Sequence, residues 1–305
     1  REGVHYSLVA TEHWERRYLA ADEQEAIYRE TIRLLHYAKI NYSISAFISW
    51  GNLLLEESLF TKAKEIGAKT CFYLANPTYK GKENLTLKNA SLILTDSKAT
   101  KELYIDEVKS NFLLLPKCIE IPTKIISPIS RYHKQTITFV NPSIKKGLEP
   151  FLKIANYLSK HSRNTKLVLV NASGKLEKDL CKLGLKAAKL PGNVNVNNGE
   201  STTDNLLANT TLVLLPSIWH ESGSRLIHEC HIRGIPIIAF DTGGTKELLG
   251  QCHEDLFTAP KTFLDDDSVL RIQGWNENHI CQRIVQLMSS SEKYINHSNY
   301  ITSES

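Results

Sequence analysis

The chain has 305 residues, of which 42% are apolar and 23% are charged, with a formal net charge of +4. These proportions are those of an ordinary globular protein, and the length suits about two domains with a sizeable core. They exclude a disordered chain, a fibrous protein and a small disulfide-stapled scaffold, and no apolar run approaches the roughly 20 residues of a membrane-spanning helix.

Short β-rich apolar runs alternate with helical stretches in the first part of the chain. Strands are predicted at residues 44–50, 70–74, 92–95 and 112–115. Helices are predicted at residues 14–39, 53–66 and 100–108. The segment 116–128 carries prolines and shows no periodicity, which indicates a linker between two domains.

The second part of the chain repeats this alternation. Strands are predicted at residues 136–140, 166–170, 193–196, 211–215 and 235–240. Helices are predicted at residues 146–159, 202–208, 224–233 and 245–249. Because strands separated by helices form parallel sheets through right-handed crossovers, the sequence predicts two α/β domains that divide near residue 128.

Charge is unevenly distributed along the chain. Residues 1–130 carry 17 Lys or Arg and 16 Asp or Glu, residues 131–192 carry 13 and 3, and residues 193–305 carry 7 and 14. The basic central block suggests an anionic partner, such as a phosphorylated ligand or an anionic membrane surface. A solvated lysine-rich helix face is an equally good explanation. No nucleic-acid partner is expected, because few aromatic residues stand among these lysines.

The densest set of candidate groups follows the strand predicted at 211–215. There the sequence PSIWHESGSRLIHE, residues 216–229, turns from a strand into a helix. The N-terminus of a helix directs N–H groups and the positive end of its dipole toward an anion. Glu221 and Glu229 flank this turn, and their carboxylates suit the hydroxyls of a sugar or a ribose.

A second glycine-rich turn, DTGGTKE at residues 241–247, follows the next predicted strand. In an open parallel sheet, ligands bind at the carboxyl ends of the strands. We therefore expect Gly243 and Gly244 to complete one concave anion site with the first turn.

These motifs, in their order and spacing, resemble the family 4 glycosyltransferases, whose GT-B fold has two Rossmann-like domains facing a cleft. The motifs that carry the resemblance are Glu221 and Glu229 eight positions apart, Gly234-Ile235-Pro236, and Gly243-Gly244 with Glu247. Upstream, FVNPSIKKG at 139–147 is similar to the family's phosphate loop. NASLILTDS at 89–97 is similar to the family's segment of an alanine-aspartate pair, a strand and a serine.

The resemblance also predicts the domain organisation. It covers about residues 89–300, and the family's opening strand and glycine-rich loop have no counterpart at the start of this sequence. We therefore expect an incomplete acceptor-side domain over residues 1–128 and a nucleotide-sugar domain over 129–285. A C-terminal helix over 286–305 is expected to cross back to the first domain.

The resemblance implies retaining transfer of a sugar from a UDP- or GDP-linked donor to a glycan or lipid-linked acceptor, without a cofactor or metal. Glu221 would lie near the donor sugar and stabilise positive charge at its anomeric carbon, and Glu229 would accept hydrogen bonds from the ribose. Lys146 would hold the diphosphate. The other candidate donor-binding residues are Asn141, Gly147, Asn198, Ser224, Arg225, Leu226, Gly243 and Gly244.

Two further functions stay open, a non-catalytic GT-B binding subunit and a sugar-nucleotide epimerase, although the paired glutamates favour the transferase. The aspartate run at 265–267 has the spacing of an Asp-x-Asp metal motif, but it is better interpreted as a solvated loop. Six scattered cysteines favour free thiols and therefore a cytoplasmic protein. The basic central block extends this expectation to the inner face of the cell membrane, and the resemblance implies a role in surface polysaccharide synthesis.

Overall fold

The computed structural model describes residues 21–50, 56–75, 77, 85–162, 164–185, 189–198 and 202–303. The chain divides into two compact units, Arg1–Pro116 and Lys117–Ser305. The two units correspond to the two α/β domains that the alternation of strands and helices predicts.

The first unit is built on a four-stranded parallel sheet in the order β1-β2-β3-β4. Its strands are β1 (Ala46–Trp50), β2 (Lys69–Leu74), β3 (Leu92–Thr95) and β4 (Asn111–Leu114). Its described helices are α1 (Ala21–Tyr42), α2 (Glu56–Glu65), α3 (Leu85–Asn89) and α4 (Lys98–Tyr104). Each strand pairs with the one before it, so the crossover helices lie on one face, where Phe60, Phe72 and Tyr104 are fully buried.

The second unit is built on a six-stranded parallel sheet in the order β10-β9-β8-β5-β6-β7. Its strands are β5 (Thr136–Val140), β6 (Lys166–Val170), β7 (Val194–Asn197), β8 (Leu212–Leu215), β9 (Ile237–Phe240) and β10 (Leu256–Phe257). An antiparallel hairpin adds β11 (Lys261–Leu264) and β12 (Leu270–Gln273). The helices are α5 (Pro128–Tyr132), α6 (Leu148–His161), α7 (Leu176–Lys182), α8 (Thr203–Ala208), α9 (Arg225–His231), α10 (Thr245–Leu249), α11 (Asn278–Ser289) and α12 (Ser291–Ser303).

The strand order of the second unit reverses between β5 and β8. From β5 the sheet grows toward β6 and β7, and from β8 it grows the other way toward β9 and β10. Right-handed crossovers therefore place α6 and α7 on one face of the sheet and α9 and α10 on the other. The carboxyl ends of β5 and β8 flank the switch point, which is where open α/β sheets bind ligands.

The predicted boundary at residue 128 differs from the observed one. Residues 117–127 belong with the second unit because two of their side chains bond to it. Lys117 Nζ donates to the carbonyl of Gly223 at 2.6 Å, and the Thr123 hydroxyl donates to the Asp204 carboxylate at 3.0 Å. Residues 117–127, which include the prolines, therefore pack against the second unit.

The helix predicted over residues 286–305 corresponds to the last turn of α11 and to α12, which are grouped with the second unit. Its crossing back to the first domain stays a prediction. The Tyr294 hydroxyl donates to the carbonyl of Thr211 at 2.7 Å, and the Ser298 hydroxyl donates to that of Gly234 at 2.5 Å. These buried bonds anchor α12 to the strand starts of the large sheet.

All six cysteines are free thiols, as the sequence predicts. No helix in the described part of the chain combines the length and the apolar character needed to span a bilayer.

Candidate functional site

Two loops meet at the switch point of the second unit. One follows β5 and carries Lys145 and Lys146, and the other follows β8 and leads to Glu221. The carbonyl of Lys145 accepts hydrogen bonds from the Ile218 N–H at 3.1 Å and from the Ser217 hydroxyl at 3.3 Å. The two loops are thereby fixed side by side at the carboxyl edge of the sheet.

Gly147 allows this close approach. Its φ is +88°, and a Cβ placed on it would lie 1.7 Å from the carbonyl oxygen of Pro216. No other residue fits here without a backbone shift, because real Cβ atoms do not come so near an oxygen. The glycine also begins α6, so the preceding lysine lies in the loop and not in the helix predicted to start at residue 146.

The two loops bring Lys146 and Glu221 together. Lys146 Nζ lies 2.5 Å from Glu221 Oε1. The Glu221 side chain is only 8% exposed, while that of Lys146 is 43% exposed. The carboxylate is thus fixed inside the crevice, and the ammonium group reaches toward solvent, where an anionic ligand can replace the carboxylate as its partner.

The second glycine-rich turn supports the backbone of Glu221. The N–H of Gly244 donates to the Glu221 carbonyl at 2.7 Å. Gly243 has a φ of +57°, and a Cβ there would lie 2.3 Å from the same carbonyl oxygen. Both predicted donor-binding glycines therefore contact Glu221, and the Gly244 N–H bonds within the chain. Binding of a donor by these two glycines stays a prediction.

Helix α9 carries the second glutamate and begins after Ser224, as the strand-to-helix turn predicts. The Glu229 side chain is 11% exposed, and its Oε1 lies 3.1 Å from Arg225 Nε. Burial raises the pKa of the Glu229 carboxyl, against the opposing positive charges of Arg225 and Arg233. Glu229 is therefore a largely desolvated acceptor, suited to hydroxyl donors.

The predicted anion site at the start of α9 involves the backbone N–H groups of Ser224, Arg225 and Leu226. The first N–H groups of any helix lack partners within that helix and can therefore bind an anion. Their role in donor binding stays a prediction.

A buried arginine that lies outside the predicted site motifs bonds to the backbone of Glu229. The Arg233 side chain is 4% exposed, and its Nη1 donates to the Glu229 carbonyl at 2.8 Å. Its Nη2 pairs with Asp204 Oδ1 at 2.5 Å, and this bond lowers the pKa of Asp204. The backbone N–H of Thr123 donates to the other oxygen of Asp204 at 3.3 Å. The sequence does carry a signal for this contact, because Arg233 follows Glu229 by four residues, which is about one turn of a helix.

A cavity of about 720 Å³ lies beside these groups, entirely within the second unit. It is lined by the start of α8, by the segment 118–123 and by the outer side of α9, including Arg225 and Glu229. Its size and its mixture of charged and polar groups suit a nucleoside-sized ligand whose ribose reaches Glu229.

Two predicted asparagines lie at the same edge of the sheet. Asn141 follows β5 with a φ of +52°, and its N–H donates to the Val170 carbonyl at 2.9 Å. Asn198 follows β7, and its Oδ1 accepts a hydrogen bond from Asn171 Nδ2 at 2.9 Å. Because β7 is two strands from β5, Asn198 lies farther along the edge than Lys146 does.

No group of three or more His, Cys, Asp or Glu side chains among the described residues is arranged to hold a metal ion. The aspartate run at 265–267 forms the turn between β11 and β12. Asp265 Oδ1 accepts hydrogen bonds from the N–H groups of Asp267 at 3.2 Å and Val269 at 2.8 Å. This turn agrees with the predicted loop.

The sequence matches a family model over the second unit. Residues 128–283, just over half of the 305 residues, match the model described as "Glycosyl transferases group 1". The chain belongs to this family. The family match covers Lys146, Glu221 and Glu229, so the resemblance found in the sequence is confirmed.

Solved structures show that this group 1 glycosyl transferase has the predicted GT-B fold. HepE from Anabaena, solved with UDP-glucose, is 16% identical; the match has a TM-score of 0.66 and covers 92% of this chain and 77% of HepE. S. aureus TarM is 14% identical, with a TM-score of 0.63 and coverage of 88% and 53%. A glycosyltransferase from Rickettsia africae is 13% identical, with a TM-score of 0.60 and coverage of 94% and 79%. The comparison with curated proteins finds no match.

Proposed function

We propose that this protein transfers a sugar from a nucleotide-sugar donor to a glycan or glycoconjugate acceptor, with retention of the anomeric configuration. The observation that carries the proposal is the pair of Lys146 and Glu221. They are 75 residues apart in the chain and 2.5 Å apart at the switch point of the sheet. In this proposal the Lys146 ammonium binds the diphosphate, and the adjacent buried carboxylate of Glu221 faces the sugar ring.

In this proposal, Lys146 neutralises the diphosphate as it leaves, together with the backbone N–H groups at the start of α9. When the diphosphate binds Lys146, Glu221 loses its partner and becomes an unpaired carboxylate in a crevice with little water. Glycosyl transfer passes through an oxocarbenium-like state, and a fixed negative charge stabilises the positive charge that develops there. The reaction needs no metal in this account, because lysine and helix N–H groups supply the positive charge.

Glu229 binds the ribose of the donor. Its buried carboxylate pairs with Arg225, and Arg233 bonds to its backbone carbonyl. In this proposal the carboxylate accepts hydrogen bonds from the two ribose hydroxyls. UDP is the first nucleotide to test, since the similar HepE was solved with UDP and with UDP-glucose. Surface polysaccharide synthesis at the cytoplasmic face of the membrane is the process we propose.

Replacing Glu229 with Gln is expected to weaken nucleotide binding at least tenfold, about 1.4 kcal/mol. A neutral amide accepts weaker hydrogen bonds from the ribose than the carboxylate does. Calorimetric titration of the wild type with UDP, GDP and ADP, in the presence of EDTA, identifies the base and tests the proposed independence from metal.

The matched control for that titration is Glu254→Gln, because Glu254 is 77% exposed in the same unit and lies outside the site. The nucleotide affinity of the Glu254→Gln variant is expected to equal that of the wild type. Absence of binding by any nucleotide to the folded protein contradicts the donor site, and so does equal binding by the Glu229→Gln variant. Transfer assays with the matching sugar nucleotides, with the product's anomeric configuration read by NMR, then test retention.

Nucleotide affinity is expected to fall on acidification. Burial raises the pKa of Glu229, so the carboxyl takes up its proton at a less acid pH than an exposed glutamate does. As the pH falls through this raised pKa, the group ceases to be a charged acceptor and the ribose loses its strongest partner. Titrations between about pH 8 and about pH 5 measure this effect.

The Glu229→Gln variant is the control for the pH series. Protonation of the nucleotide phosphates affects both proteins alike, so the difference between the two profiles reports Glu229 alone. The affinity of the wild type should approach that of the variant at the acid end. If nucleotide affinity depends on pH in the same way in the wild type and in the variant from about pH 8 to about pH 5, Glu229 is not the titrating acceptor.

A further inference from the structure

Helices α6 and α7 lie together on one face of the large sheet. They connect β5 to β6 and β6 to β7, which follow one another in the same direction across the sheet. Right-handed crossovers place both helices on the same side, and their inner residues share one core, including Phe151 and Leu180. The outer sides of α6 and α7 therefore form a single surface.

Five lysines stand on this surface, and we call them the lysine face. They are Lys153, Lys160, Lys175, Lys178 and Lys182. Four are exposed and Lys153 is half-buried. Lys175, Lys178 and Lys182 are spaced by three and four residues, so they follow one side of α7. None of the five takes part in an ion pair within the described part of the chain.

The few acidic residues of the basic block do not neutralise the lysine face. Glu149 is turned toward the β12 strand, where it accepts the Ile272 N–H at 3.1 Å and lies 3.7 Å from Arg271. Asp179 accepts the Ile144 N–H at 3.3 Å. Only Glu177 stands exposed on α7 without such a bond. Five of the thirteen Lys or Arg residues of the block 131–192 therefore stand on the lysine face.

We propose that the lysine face docks the protein on an anionic lipid surface. Lysine ammonium groups are strongly hydrated point charges, which suit a diffuse layer of phosphate headgroups. Recognition of nucleic acid relies on arginine forks and on exposed aromatic rings for base stacking. Among the described residues of α6 and α7, Phe151 is buried, and Tyr157 is half-buried and stacks on His161 with ring centroids 4.1 Å apart. This inference does not depend on the transfer reaction.

Vesicle sedimentation with the full chain tests the docking. We expect binding to vesicles of phosphatidylcholine with phosphatidylglycerol, little binding to phosphatidylcholine alone, and loss of binding between about 50 mM and about 300 mM salt. The triple substitution Lys175→Gln, Lys178→Gln and Lys182→Gln is expected to lower the partition coefficient about a hundredfold, equivalent to about 2.8 kcal/mol.

The control is a triple substitution with the same change in net charge, Lys64→Gln, Lys69→Gln and Lys109→Gln, at exposed positions of the first unit. It should bind vesicles within about threefold of the wild type. Three outcomes would overturn the proposal. They are equal losses of vesicle binding in the two triple variants, vesicle binding that does not change with salt concentration, and failure of the wild type to bind anionic vesicles.

Tighter binding of single-stranded DNA than of vesicles, lost in the lysine-face variant, would also overturn it and assign the surface to nucleic acid. The lysine-face variant should bind its nucleotide like the wild type, which shows that the second unit is folded. A failure of the donor site would appear in that titration and not in the vesicle assay, so the two proposals are tested separately.

Discussion

The Glu221→Gln variant is expected to transfer sugar with a kcat about a hundredfold to a thousandfold below that of the wild type. The substitution keeps the size of the side chain and removes the fixed negative charge that stabilises the oxocarbenium-like state. Because the side chain is only 8% exposed, little water is available to replace that charge. Transfer kinetics with the donor identified by titration measure the effect.

The same variant is expected to bind the nucleotide as tightly as the wild type, or a few fold more tightly. In the unliganded protein Glu221 pairs with Lys146 at 2.5 Å and competes with the diphosphate for it. Removing the charge ends this competition, so kcat falls while affinity does not. The exposed Glu254→Gln variant is again the control. Equal losses in affinity and kcat would contradict a role specific to the transition state.

The second large effect is expected from Gly147→Ala. Its Cβ would lie 1.7 Å from the Pro216 carbonyl oxygen, so one of the two loops must move by more than an ångström. Displacement of the loop moves Lys146 away from Glu221, and we expect nucleotide affinity to fall more than tenfold. The free energy of unfolding should fall by about 1 kcal/mol for the left-handed backbone and by about 1 to 3 kcal/mol more for the overlap.

Gly174→Ala is the matched control, because Gly174 also has a left-handed backbone, with a φ of +65°, and a Cβ there meets no atom within 4 Å. It should lose about 1 kcal/mol of stability and keep its nucleotide affinity. Urea unfolding and calorimetric titration of both variants separate the backbone strain from the close contact. If the two variants behave alike, the approach of the loops is not as tight as the structure indicates.

The course of the chain through both sheets was largely predictable. Buried parallel strands such as β8 and β9 are continuous apolar runs, and glycine-rich turns follow them, so local pattern is enough to recognise both. The site motifs follow these strands directly. Their common edge could therefore be inferred from the rule that parallel sheets bind ligands at their carboxyl ends.

Elements with little buried surface were missed. The hairpin strand β11 is exposed along its whole length, so it carries no alternation of apolar and polar residues. Helix α7 has only seven residues and buries only Leu176 and Leu180, too few to establish a helical period. The position of α12 depends on buried hydroxyl bonds to distant carbonyls, which leave no mark on the local sequence.

Residue type and order alone determine that the chain is α/β, that it carries the glycosyl transferase motifs, and that positive charge gathers in its middle. These features depend on neighbours within a few positions. Tertiary structure alone decides that Lys146 reaches Glu221, that Arg233 pairs with Asp204, and that the lysines of α6 and α7 share one face. Each of these contacts joins segments from different crossovers, so it depends on strand order, which no local pattern specifies.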